Sequence, residues 1–202
     1  MNMEETKDFR LVRGLLEADR STRRFVQERR IGMPTLERLV ELTRYCASGR
    51  NAQPLRYLPA ESPEDCARMF PHLAWAGYFK DWDGPADGER PAAYLLQCLD
   101  TRLGNDCLCD DGLQLQAISL GARALGIASC IIKAFDAKGV AEAFGLPGHL
   151  APRYVLALGY PAESVMIEET DGSAEADIRY YRTPDGVHHV PKRPLSELLL
   201  RR

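Results

Sequence analysis

Two stretches of this chain, Arg20-Ser21-Thr22-Arg23-Arg24-Phe25 and Ser48-Gly49-Arg50-Asn51-Ala52-Gln53-Pro54, carry more chemistry than the rest. The first sets three guanidinium groups beside two hydroxyls. A guanidinium matches phosphate bidentately, and hydroxyls add short donors next to it. The second places Asn and Gln amides between a glycine and a proline. Such amides read the edge of a flat heterocycle where the backbone turns sharply. Together the stretches point to a phosphorylated planar ligand, held by charge at one end and by amides at the other. The plainer alternative is a basic connection bridging nearby carboxylates, followed by an ordinary turn.

Working outward, Phe9, Val12, Leu15 and Leu16 recur at helical spacing and predict a helix ending near Asp19. Pro34 opens a second helix with Leu36, Leu39 and Val40 on its apolar face, stopping near Ser48-Gly49. A short strand is expected over 56–59, a helical segment over 63–69 and a long loop over 80–91, rich in glycine and proline. Residues 92–99 form an apolar strand. Asp110 and Asp111 then cap the least polar helix, 112–125, whose only charge is Arg123. A helix this apolar must be covered on nearly all sides, which predicts a central position or a subunit interface. A strand over 127–132, a helix over 136–144, a strand over 154–160, a short strand over 178–182 and a last helical turn complete the pattern. Strands mix irregularly with helices, so the fold class is α+β rather than a βαβ series.

The bulk numbers exclude several classes. A chain of 202 residues suits one domain with extensions, and 45% hydrophobic with 27% charged residues is ordinary globular composition. The net charge of −3 argues against a general nucleic-acid binder. No stretch reaches the ~18 apolar residues of a membrane span, and no signal-peptide pattern is visible, so a cytoplasmic protein is expected. The six cysteines are then expected as thiols, and Cys107-Leu108-Cys109 lacks zinc-ribbon spacing. His188 and His189 are adjacent and should face opposite sides of a strand, which makes them ordinary residues rather than metal ligands. No GxGxxG, P-loop, nucleophile elbow or HExxH is present. Cys130 sits among apolar neighbours as an inert thiol. With no persuasive side-chain catalyst, a bound cofactor is expected to carry the hard step.

The ordered motifs resemble the nitroreductase superfamily of FMN-dependent enzymes. Arg20-Ser21-Thr22-Arg23-Arg24-Phe25 resembles the family's phosphate segment. Ser48, Asn51, Gln53 and Pro54 resemble the segment that meets the flavin ring from the partner subunit. Gly126-Ile127-Ala128-Ser129-Cys130-Ile131-Ile132-Lys133-Ala134-Phe135-Asp136 resembles the stretch after the central helix. Gly159-Tyr160-Pro161 and Lys192-Arg193-Pro194-Leu195 resemble the family's late strand and its basic tail. The likeness runs from about Glu17 to the end.

The resemblance implies a mostly antiparallel central sheet flanked by helices in an intertwined homodimer. A single FMN-binding domain, 1–202, would carry an extension from about 162 packing on the partner. It implies ping-pong hydride transfer from NADH or NADPH to a nitroaromatic or quinone, with no catalytic side chain. The alternatives are a flavin carrier or sensor, or a family branch with another flavin reaction. Arg20, Ser21, Arg23, Lys192 and Arg193 would hold phosphate and ribityl. Ser48, Asn51 and Gln53 would read the ring from the other chain. Cys130, Ile131, Ile132 and Lys133 would line it, with the Ile132 amide at the reactive nitrogen. Three departures stand out: Asp19 where Arg is common, Leu55 where an aromatic is common, and Lys133 in place of Gly. Lys133 either polarises the ring or points to solvent.

Overall fold

The computed structural model describes residues 5–173 and 177–200. Four strands form an antiparallel sheet in the order β1-β2-β4-β3: β1 Leu55–Ala60, β2 Ala93–Asp100, β4 Leu150–Gly159 and β3 Ala128–Ile132. Pro59 lies in β1, an edge strand, where a missing amide donor breaks no ladder. Side chains alternate along β2 and divide the core into two layers. Tyr94, Leu96 and Cys98 pack with Met69, Cys130, Ile132 and Val155 on one face. Leu95 packs with Leu36, Leu39, Leu115, Ile118, Leu156 and Leu158 on the other. Helices α3 (Pro63–Met69) and α5 (Ala137–Ala143) contribute to the first layer, and α2 (Met33–Glu41) and α4 (Asp110–Ala124) to the second.

A second sheet has three strands in the order β5-β7-β6: Val165–Glu169, His188–Lys192 and Tyr181–Arg182. Strand β5 runs parallel to β7, and β6 antiparallel. Of the strand expected over 178–182, only Tyr181–Arg182 is paired. The α+β class is as expected. No helix of the described residues is long and apolar enough to cross a membrane.

One expectation about the helices changes. Asp110 and Asp111 lie inside the first turn of α4 rather than at its N-cap, which is Cys109. Helix α4 buries seven residues within the subunit and leaves Leu113 exposed. Helix α1 spans Lys7–Ala18. It buries none of its residues, and Phe9, Val12 and Leu16 stand exposed along one side.

Candidate functional site

The Arg20–Phe25 segment is an extended strip tied to the main sheet by its backbone. The Thr22 N–H donates to the Ser129 carbonyl at 2.9 Å, the Val26 N–H to Tyr160 at 2.8 Å, and the Arg24 carbonyl accepts from Ala162 N–H at 2.9 Å. Phe25 is fully buried against Gly159, where a Cβ would come within 2.6 Å of the ring. That close approach is the reason for glycine here. The strip borders a cavity of about 260 Å³ between the two sheets. The main body contributes Asp19, Arg20, Ser21, Arg23, Gln116, Ser119, Ser129 and Ile131. Strand β7 contributes His188, Val190 and Lys192, and the residue before β6 contributes Tyr180.

The cavity's lining mixes two kinds of group. Arg20, Arg23 and Lys192 supply cations. Arg23 is 8% exposed, and among the described residues no carboxylate pairs with its guanidinium. Its Nη1 donates to His188 Nε2 and to the Ser21 carbonyl, each at 3.3 Å. Arg20 donates from Nη2 to the Leu16 carbonyl at 2.8 Å, which caps α1, and its buried Nε has no acceptor. The plain alternative of a basic connection bridging carboxylates describes Arg24 instead, which pairs with Glu89 at 3.3 Å.

The lining also holds acceptors. Asp19 is buried and accepts from Gln116 Nε2 at 2.8 Å and from Ser119 Oγ at 2.6 Å. An ionised carboxylate only accepts, so the Ser119 hydroxyl proton points at Asp19. The 2.7 Å contact between Ser119 and Ser129 is then a donation from Ser129. Gln116 and Ser119 sit three residues apart on one face of α4, a spacing that could have revealed them.

A buried guanidinium without a counter-ion is costly unless a ligand completes it. Three cations together with a carboxylate and hydroxyls suit a phosphorylated polyol. At 260 Å³ the cavity is smaller than the roughly 300–1,000 Å³ usual for whole small-molecule sites. Its residues and size fit the ribityl-phosphate part of FMN rather than the whole cofactor.

The remaining expected residues lie elsewhere. Cys130 and Ile132 turn their side chains into the core, and burial pushes the Cys130 thiol pKa up. Strand β3 is an edge strand, and the Ser129 carbonyl faces outward to Thr22. The Leu158 carbonyl, opposite Ser129, serves Ala92 instead. Alternation along an antiparallel ladder then directs the Ile132 N–H toward β4 and the Ile131 N–H out of the open edge. The expectation for an amide at the reactive nitrogen moves from Ile132 to Ile131, whose side chain also lines the cavity. Lys133 bends over the sheet, Nζ donating to the Arg153 carbonyl at 3.2 Å and lying 4.3 Å from the Tyr154 ring centre. Arg193 turns away to Glu197 at 2.7 Å.

Ser48, Asn51 and Gln53 do not line the cavity. They lie at the start of α4, roughly 9–14 Å along the helix axis from Gln116 and Ser119. Buried Asp110 holds this loop, accepting from Ser48 Oγ at 2.6 Å and from Gly49 N–H at 2.9 Å. Arg50, Asn51 and Gln53 all have left-handed φ, 54°, 54° and 46°. Asn51 and Gln53 stay exposed, the Gln53 amide donating to Asn51 Oδ1 at 3.1 Å. His188, expected to be ordinary, is 1% exposed and faces the cavity, while His189 stacks on Tyr181.

Comparison with known proteins places these features. The profile described as the Nitroreductase family matches residues 109–160, from the start of α4 to the end of β4. A Burkholderia lata protein named an NADH dehydrogenase/NAD(P)H nitroreductase is 29% identical over 151 residues, covering 66% of this chain and 77% of its own. Among solved structures, a nitroreductase family protein of Streptococcus pneumoniae superposes with a TM-score of 0.68 at 16% identity, over 95% of this chain and all of the other. An Exiguobacterium sibiricum structure named as a nitroreductase in complex with FMN gives 0.61 at 21% identity, over 81% and 92%.

Proposed function

We propose that the chain is a nitroreductase-family protein, an FMN-dependent oxidoreductase drawing on NADH or NADPH; the family match over residues 109–160 and the shared fold support this reading. The buried guanidinium of Arg23, unpaired with any carboxylate among the described residues, in a cavity also lined by Asp19, Ser119 and Ser129, carries this reading. Arg20, Ser21, Arg23 and Lys192 hold the phosphate. Asp19 and Ser129 accept from ribityl hydroxyls, and Asp19 thus replaces a charge contact with a hydroxyl contact. Bound FMN supplies a ring that accepts a hydride and passes it to an electrophile such as a quinone or nitroaromatic. The Ile131 N–H, on the open edge of β3, orients that ring.

The working assembly in this reading is a homodimer. Three observations support it: the exposed apolar side of α1, a groove of about 720 Å³ along α2, and the Asn51–Gln53 loop, preset yet outside its own subunit's cavity. Asn51 and Gln53 would then read the ring bound by the partner. Heat-released supernatant should show about one FMN per chain, and NAD(P)H with a quinone should turn over. A colourless protein that takes up no FMN on soaking would overturn the proposal.

A further inference from the structure

A buried arginine is usually steadied by a carboxylate. Here Glu163, bonded to the Arg23 backbone, is already committed: it accepts from the Arg23 and Arg24 N–H groups and, at 2.7 Å, from Arg182. What meets the Arg23 guanidinium instead is the second sheet. His188 Nε2 lies 3.3 Å from Nη1, and the Tyr180 ring centre lies 4.6 Å from Cζ. Phe79 braces His188 edge-on, its ring centre 5.7 Å away.

A guanidinium can only donate, so His188 Nε2 must accept and its proton sits on Nδ1. An imidazolium has no lone pair to offer. Burial and the Arg23 charge push the imidazole pKa down to about 4, in agreement. Nδ1 is buried without a partner, so the ring is held by stacking and by the one bond to Arg23. A carboxylate at this position would neutralise the arginine and repel an anion beside it.

We propose that His188 positions the Arg23 guanidinium for a phosphate dianion through a ring nitrogen that carries no negative charge, leaving the full charge of Arg23 for the ligand. This rests on the phosphate reading of the cavity given above.

The test compares FMN with riboflavin, which lacks the phosphate, by fluorescence titration of the full chain. His188→Leu should reduce the preference for FMN roughly ten- to hundredfold, the range for a lost bond to a charged group, with riboflavin affinity little changed. His188→Gln, which keeps an acceptor near Nε2, should restore most of the preference. His188→Glu should lose at least as much as leucine. Equal preference in wild type, leucine and glutamate variants overturns the role of His188 while leaving the phosphate site standing. A wild type with no preference for FMN over riboflavin removes the phosphate site and this role with it. Imidazole ¹⁵N shifts of the wild type give a readout independent of any variant's folding. Arg23, Arg182 and His189 disfavour the imidazolium, and only Glu163 favours it. The Nδ1-protonated neutral tautomer is expected at pH 6, and an imidazolium there refutes the inference.

Discussion

Replacing Asp110 with alanine tests how the Ser48–Gln53 loop is held. The carboxylate accepts at 2.6 Å from Ser48 Oγ and at 2.9 Å from Gly49 N–H, and Ser48 Oγ in turn accepts from Gln53 N–H at 2.9 Å. Two bonds to a charged acceptor are worth about 3–6 kcal/mol in total. Against them stands the strain of Arg50, Asn51 and Gln53, at about 1 kcal/mol or more each in the left-handed region. Once the carboxylate is gone the loop relaxes and recovers that strain. The net loss is then at most about 3 kcal/mol. For a chain of this length that lowers the melting temperature by up to about 12 °C. Amide exchange at Gly49 and Gln53 should accelerate, and FMN should bind more weakly although Arg20, Ser21 and Arg23 are untouched. Asp110→Asn is the milder partner. Its amide oxygen still accepts from Gly49 while its NH₂ donates to Ser48 Oγ, so it loses charge but not the two contacts. If alanine leaves exchange at Gly49 and Gln53 at the wild-type rate, Asp110 does not hold the loop and the argument fails.

Arg23→Ala should weaken FMN by about 1.5–3 kcal/mol, whereas Arg24→Ala, which loses only its Glu89 pair, should not; equal losses in titration would indicate general charge. Light scattering should give twice the 22.6 kDa chain mass, and Val12→Glu on the bare side of α1 should shift it toward one chain; a monomeric wild type with FMN bound would exclude the dimer. Because the Lys133 ammonium is engaged by the Arg153 carbonyl and the Tyr154 ring, Lys133→Met should leave the flavin midpoint potential unchanged in a redox titration. The His188 pKa, near 4, lies below the ordinary 6.5, so the unfolded chain binds the extra proton first. The His188 contribution should be complete above about pH 6.5 and fall by about 3 kcal/mol by pH 4, a loss that denaturant melts should find missing in His188→Gln.

Local signals made much of this fold legible. The apolar run over 92–99, the proline-opened helices at Pro34 and Pro63, and the turn at Gly145 each declare themselves within a few residues. Strand β5 did not, because Val165-Met166-Ile167 finds its partner at His188-His189-Val190, more than twenty residues on. Chain-distant pairing leaves no local periodicity to detect. The cationic lining of the cavity was visible in Arg20, Ser21 and Arg23 because guanidinium chemistry is legible without geometry. His188 was invisible because its role depends on which face of β7 meets the main body. The exchange of Ile132 for Ile131 has a similar cause. Which amides a ladder consumes depends on hydrogen-bond phase, and that phase is set here by one contact, Thr22 N–H to the Ser129 carbonyl. Asp110 looked like a helix cap because its long-range partners, Ser48 and Gly49, lie about sixty residues back in the chain.

The cavity's walls come from two separate sheets, with Arg20, Arg23 and Ser129 on one side and Tyr180, His188 and Lys192 on the other. Filling the cavity and docking the small sheet are therefore one equilibrium. A ligand at a hundred times its dissociation constant would add about 2.7 kcal/mol to that docking. If FMN fills this cavity as proposed, its binding would hold the small sheet against the main body, and when flavin is scarce quality-control proteases would meet a chain whose last forty residues are less firmly held, so that abundance would fall with vitamin supply.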